Sequence, residues 1–359
     1  MSWFLLILVL PYIFLLLKCY RGLRRLEAFK ISTEPSTFVS VVVACRNEGK
    51  HLPSLLNCLA NQNYQEHLFE VIIVDDNSTD QTFSIAEGFK SIRNLHTMNN
   101  EGSGKKLALR TGIESAKGSL IITTDADCIM GSEWIKTIAA FYELHNPDLI
   151  ICPVQINSGK GIFGKFQALE FLILQGITAG FASENEPVMC NGANLAFPSK
   201  IYFKHAANLH DELNSGDDVF LLHSLKKENR PEILWLESSL AMVETEPVLT
   251  IIKFIKQRSR WISKSPSYKD RFTIALGIVT FVTIFLQIII YVLTIINPSI
   301  IWILILFLVL KSIPDCLILK NTAKRYGKEN LLIWFIPAQL IYPVYVLIVI
   351  FHSLMIWKK

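Results

Sequence analysis

Apolar positions along this chain fall into two kinds of stretch. Long runs occupy residues 3–17 and most of 273–357, while short runs recur between about 35 and 270. The long runs approach or exceed the length that crosses a bilayer. Residues 3–17 predict one span, and 273–296, 300–319 and 331–357 predict three more; Asn297-Pro298 splits the first two of these, and Pro337 and Pro343 interrupt the last. Of the short runs, 39–44, 69–74 and 120–122 predict buried strands. Helical spacing follows the first in Leu52, Leu55, Leu56 and Leu59, begins again near Gln81, and returns across 103–116 in Leu107, Leu109 and Ile113. Strands alternating with helices predict a parallel sheet with right-handed crossovers.

Further on, 147–153 predicts another strand, and 161–182 a helix with Phe163, Phe166, Leu169 and Leu172 apolar, lying either in the membrane interface or on the sheet. Asn191-Gly192-Ala193-Asn194 reads as a turn before a short strand at 195–197, and Ser215-Gly216-Asp217-Asp218 opens a helix to about Lys227. Residues 248–263 mix Ile251, Ile252, Phe254 and Ile255 with Lys253, Lys256, Arg258 and Arg260, a basic amphipathic pattern suited to a bilayer surface.

Composition sharpens this division. The 359 residues are 51% hydrophobic and only 18% charged, too apolar for an ordinary soluble domain. The interior is ordinary and long enough for one sizeable α/β domain. The expected segments are an N-terminal anchor with its basic flank over 1–34, a catalytic domain over 35–247, an interface helix over 248–272 and transmembrane helices over 273–359. No positive stretch precedes residues 3–17 and no small-residue cleavage site follows, so a retained anchor is expected in place of a signal peptide. Lys18, Arg21, Arg24, Arg25 and Lys30 follow the first run, and Lys320, Lys324, Arg325 and Lys328 lie between the last two. By the positive-inside rule both flanks and the domain between face the cytoplasm, from the plasma membrane; Lys358 and Lys359 would then fall outside, against the rule. A net charge of +4 does not imply nucleic acid. The seven cysteines are scattered, without a Cys-x-x-Cys, so reduced thiols are expected, not a disulfide framework or zinc site.

The chemistry gathers at strand ends. The run at 120–122 leads into Asp125 and Asp127, separated by one small residue. Residues i and i+2 at a strand end can both reach into the crevice beyond the sheet, where open α/β folds bind ligands. Two hard oxygen donors there suit Mg²⁺ or Mn²⁺ held partly by substrate phosphates. The same pair could equally be a turn or a helix cap before Trp134. The strand at 69–74 also ends in acids, from Asp75 to Asp80, and in a parallel sheet both clusters share the carboxyl edge.

The chain resembles the family-2 glycosyltransferases of GT-A fold. The resemblance rests on Val74-Asp75-Asp76-Asn77-Ser78, Thr124-Asp125-Ala126-Asp127, Gly216-Asp217-Asp218 and Gln257-Arg258-Ser259-Arg260-Trp261, in family order across about 38–265. Its subgroup looks like the membrane synthases of cellulose, chitin, hyaluronan and poly-N-acetylglucosamine, with ceramide glucosyltransferase. The resemblance implies an α/β GT-A fold with a mostly parallel sheet, and transfer with inversion from a nucleotide-diphospho sugar, UDP-linked in expectation. It implies Asp127, assisted by Asp125, as metal ligands. Asp218 would be the general base, with Asp217 standing where the family has Glu. Asp75 and Asp76 would meet the base and ribose, Ala44, Arg46 and Glu48 would line that pocket, and Lys105 would face the diphosphate. Gln257, Arg260 and Trp261 would complete the donor side, Arg260 against phosphates and Trp261 beneath a sugar ring. Asn191 and Gly192 would belong to the acceptor side.

Other readings stand beside these. Asp75 to Asp80 and Asp217-Asp218 could be turn and cap residues. Arg258 and Arg260 could face lipid phosphates, and Trp261 could anchor at the interface. Lys311 and Asp315 form either a polar membrane site or an i,i+4 pair. His210 and Asp211 carry no readable signal. Within the leading function the acceptor is a lipid or lipid-linked glycan; the alternatives are a processive polysaccharide synthase and an inactive nucleotide-sugar-binding membrane protein.

Overall fold

The computed structural model describes residues 4–209 and 216–357, so Trp3, His210, Asp211, Ser215, Lys358 and Lys359 lie outside it. The chain forms two compact units: Glu27–Asn157 with Met189–Glu246, and Met1–Leu26 with Ser158–Val188 and Pro247–Lys359.

The first unit is built on β1 (Val39–Cys45), β2 (Phe69–Asp75), β3 (Leu95–Asn99), β4 (Leu120–Asp125), β5 (Ile129–Met130), β6 (Leu149–Ile151), β7 (Val154–Ile156), β8 (Asn194–Pro198), β9 (Ile233–Trp235) and β10 (Val243–Thr245). Seven of these make one sheet in the order β3-β2-β1-β4-β8-β6-β9, parallel except for β8, which runs against β4 and β6. The mostly parallel sheet flanked by helices is the α/β architecture expected. Val41, Val43, Val71, Ile73 and Ile122 are fully buried, as strands covered on both faces require. The helix Lys105–Ser115 packs on β1 and β2. Gly112 permits that approach, because a methyl group there would strike Val42. A smaller sheet, β5-β10-β7, was not foreseen.

The second unit is helical. The run expected as an N-terminal span folds as Phe4–Ile7 and then Leu10–Arg25. The helix expected either at the interface or on the sheet is Ile162–Ser183 of this unit, packed against Leu10–Arg25 and Ile301–Arg325. Among the described residues three helices are long and apolar enough to cross a membrane, Arg271–Ile296, Pro298–Arg325 and Glu329–Met355. Lys320, Lys324 and Arg325, expected in a connecting loop, instead stand on the last turns of Ile301–Arg325, because 320–325 holds no helix breaker. Lys311 and Asp315 are a pair at 2.8 Å, and Gln339 bonds to both, at 2.7 Å each. Tyr12 donates to Asp315 at 2.6 Å.

Candidate functional site

Strand register sets the site. Ala44 of β1 lies level with Val74 on one side and Asp125 on the other, and Cys45 lies level with Asp75. The chain leaves β1 toward β2 and β3, then returns to place β4 on the other side of β1. The topological switch point, where α/β sheets bind ligands, therefore lies between β1 and β4; Asp125 ends one of its two strands, and Asp75 ends β2, the strand on the far side of β1.

The loops beyond β1, β2 and β3 are tied together. The Asn47 amide donates to Ser78 Oγ at 2.9 Å and the Glu48 amide to Thr82 Oγ1 at 2.8 Å. The Thr79 amide returns a bond to Asn47 Oδ1 at 2.8 Å. Asp75 is buried; its Oδ2 accepts the Ser78 amide at 2.9 Å, while its Oδ1 has no partner. Asp76 is equally buried, and Arg46 faces it at 3.5 Å. Glu48 meets His51 at 2.8 Å.

Lys105 opens the helix over β1 and β2, and its Nζ pairs with Asp125 Oδ1 at 2.5 Å. Withdrawal from water works to lower the Lys105 pKa, but the charges of Asp125, Asp217 and Asp218 outweigh it and the net direction is up. Asp127 accepts from Thr245 Oγ1 at 3.1 Å. Its carboxyl is pushed above the ordinary range, first by loss of hydration and then by the charge of Asp125. A divalent cation would relieve both effects. Among the described residues no three His, Cys, Asp or Glu side chains converge as a metal site. An ion held by these two aspartates would have to take its remaining oxygens from phosphates and water, a donor set that Mg²⁺ and Mn²⁺ accept.

Asp217 and Asp218 occupy the first turn of Asp217–Leu225. Their carboxylates suit the positive end of that helix, but the N-cap is Gly216 and no side chain caps it, so neither aspartate is the cap residue. Asp218 also reaches outward. Its Oδ2 accepts the Gly192 amide at 3.0 Å, and the Gly192 carbonyl accepts from Thr123 Oγ1 of β4 at 2.8 Å. The turn containing Asn191 and Gly192 is thereby joined to both β4 and Asp218. Asn191 Oδ1 is taken by the Ala193 amide at 3.0 Å. Asn194 is structural, bonding Trp134 Nε1 at 3.0 Å and the carbonyls of Pro153 and Ala241.

Gln257, Arg260 and Trp261 lie on Ile251–Ile262 of the helical unit, a helix capped by Thr250 through the Lys253 amide at 3.3 Å. Arg260 is exposed. Arg258, for which lipid phosphates were one alternative, is buried and paired to Glu170, with its guanidinium 4.0 Å from the centre of the Trp261 ring. One face of Trp261 is therefore covered. Gln257 Oε1 accepts from Arg258 at 2.7 Å.

Several partners were missed: Thr123, Thr245, Glu170, and Asn100, whose Nδ2 donates to Asp76 Oδ1 at 2.7 Å. Each meets its partner across the fold or through a turn, and nothing in the adjoining sequence signals it. Only Ser78, whose amide donates to the Asp75 carboxylate three residues earlier, is a local partner.

Residues 40–202 match the family described as "Glycosyl transferase family 2". This chain carries a family-2 glycosyltransferase domain. The matched region spans β1 to β4, Lys105, both metal-candidate aspartates and the Gly192 turn, but ends before Asp218. The chain is 30% identical over 203 residues to poly(ribitol-phosphate) beta-N-acetylglucosaminyltransferase TarS of Staphylococcus aureus, covering 54% of this chain and 34% of that protein. It is 32% identical over 114 residues to undecaprenyl-phosphate 4-deoxy-4-formamido-L-arabinose transferase of Pseudomonas fluorescens, covering 31% of this chain and 34% of that one. The chain thus spans about a third of the length of these curated relatives. Across its full length it shares a fold with the mannosyltransferase PcManGT of Pyrobaculum calidifontis, solved with GDP-Man and Mn²⁺, at 16% identity, 100% coverage of both chains and a TM-score of 0.61.

Proposed function

We propose that this chain transfers a sugar from a nucleotide-diphospho sugar to a lipid or lipid-linked glycan at a membrane, with inversion at the anomeric carbon. The observation that carries the reading is the cluster at the sheet edge. Lys105 pairs with Asp125, Asp127 stands beside them, and Asp218 is held by the same turn that β4 holds through Thr123. The buried Asp75 carboxylate, with one oxygen unmatched, suits a nucleoside N–H or hydroxyl. The ammonium of Lys105 is placed to neutralise the departing diphosphate. Asp127 and Asp125 would hold Mg²⁺ or Mn²⁺, whose Lewis acidity would stabilise the same leaving group. Asp218 takes the proton from the acceptor hydroxyl, and the Gly192 amide keeps that carboxylate aimed.

The acceptor class is supported by the three apolar helices and by relatives that include an undecaprenyl-phosphate transferase. The orientation we propose puts the sheet unit in the cytoplasm, following the basic flanks at 18–30 and 320–328. The test incubates membranes holding the chain with radiolabelled nucleotide sugars, and sizes the products. One added sugar on lipid-extractable material is expected. A ladder of sizes would redirect the reading to a processive synthase, and no transfer from any donor would contradict it.

A further inference from the structure

Asp75 and Asp76 are adjacent in sequence and equally buried, at 3% exposure each, but their carboxylates are used differently. Asp75 keeps an oxygen with no partner. Asp76 spends Oδ1 on two donors, Asn100 Nδ2 at 2.7 Å and the Gly104 amide at 2.8 Å, while Oδ2 faces Arg46 at 3.5 Å. Asn100 is itself fixed, its amide donating to the Asp75 carbonyl at 2.8 Å and its Oδ1 accepting the Gly102 amide at 3.3 Å. Gly104 stands just before the helix Lys105–Ser115 with φ +103°, which L side chains rarely adopt. A methyl group on Gly104 would meet nothing within 4 Å, so backbone conformation, not space, calls for glycine there. The next residue is Lys105, whose ammonium lies 2.5 Å from Asp125.

We propose that Asp76 is a positioning residue: through Asn100 and the Gly104 amide it fixes the turn that delivers Lys105 to Asp125, and it does not itself touch the nucleotide. This departs from the resemblance, which places Asp76 beside Asp75 on the nucleoside. The inference rests on the proposed function only for what Lys105 does once delivered. The delivery can be tested with no nucleotide present.

The test labels the full-length, ion-free protein with an amine-acylating reagent and reads Lys105 by peptide mass spectrometry, with exposed Lys117 as internal standard. In the wild type the pair with Asp125 slows labelling of Lys105. Asp76→Ala should speed it on the order of tenfold, the worth of a lost charge-assisted contact. Asp76→Asn keeps an acceptor for both donors and should stay within about twofold of wild type. Gly104→Ala moves the turn without entering the site and should match Asp76→Ala; it carries the test if Asp76→Ala does not fold. Unchanged labelling in the Ala variants, or equal acceleration in Asp76→Asn and Asp76→Ala, would overturn the proposal. Calorimetry adds a second readout with uridine, UDP, guanosine and GDP. Asp76→Ala should weaken the diphosphate and leave the nucleoside unchanged; a loss of nucleoside affinity would overturn the proposal. Should the wild type bind neither diphosphate while labelling behaves as expected, the positioning role stands and the nucleotide-diphosphate reading fails.

Discussion

Glu170 in the helical unit and Asp127 in the sheet unit are both carboxylates largely withdrawn from water, and they are treated in opposite ways. Glu170 receives Arg258 Nε at 3.0 and 3.2 Å, Nη2 at 2.5 Å and the Tyr345 hydroxyl at 2.9 Å. Asp127 receives the Thr245 hydroxyl and a weak Cys128 thiol contact, and has Asp125 for a neighbour. One carboxylate is matched in charge and geometry, as a group enclosed among apolar helices must be. The other is left short of positive charge. A surplus of negative charge at a sheet edge costs stability and is retained where a cation or a reacting group will answer it. The Lys311, Asp315, Gln339 and Tyr12 cluster belongs with Glu170: closed, paired and structural.

The contrast breaks most sharply at Asp218. Asp218→Asn keeps the shape and the bond from Gly192 but cannot take a proton, so transfer should fall by about 10²–10⁴ with donor affinity nearly unchanged. Product formation and calorimetry on the same preparation separate the two. A rate within a few-fold of wild type would make Asp218 only a first-turn carboxylate of its helix and pass the role to Asp217. Next in size, Arg258→Met strands a buried carboxylate and should cost about 3–5 kcal/mol of unfolding free energy in detergent. Adding Glu170→Leu should restore most of that loss. If the double variant is no better than the single, the pair is not the closed unit described here. Tyr12→Phe removes one bond to Asp315 and should cost about 1–2 kcal/mol, read as a lowered midpoint.

The smallest effect has the opposite sign. A carboxyl whose pKa is raised on folding binds its proton more tightly in the native state, so ionisation above that pKa costs native stability. Asp127→Asn removes the charge and should raise the melting temperature of the ion-free protein while abolishing ion-dependent donor binding. A lowered melting temperature would move Asp127 to the structural side of the comparison.

Much of the sheet was legible because its central strands are buried on both faces. The apolar runs at 39–44, 69–74 and 120–122 became β1, β2 and β4, and with them the positions of Asp75 and Asp125. β3 escaped notice because Leu95-His96-Thr97-Met98-Asn99 alternates weakly at a sheet edge, and β5, β9 and β10 because two or three residues carry no period. The acidic pairs could be read because they sit at strand and helix ends. Their partners could not: Thr245 meets Asp127 from 118 residues away, and Glu170 meets Arg258 from 88. The same limit applied at Trp261, whose covered face depends on a guanidinium held by Glu170.

On the function we propose, the carboxyl edge between β2 and β4 is a nucleotide-diphosphate site completed by a divalent ion. Calorimetric titration of UDP and GDP with Mn²⁺, before and after chelation, tests it in the wild type and in Asp127→Ala. One of the two should bind with the ion present, and chelation and Asp127→Ala should each weaken it at least about tenfold, the loss of one charge-assisted contact. Affinity undiminished by both would contradict it.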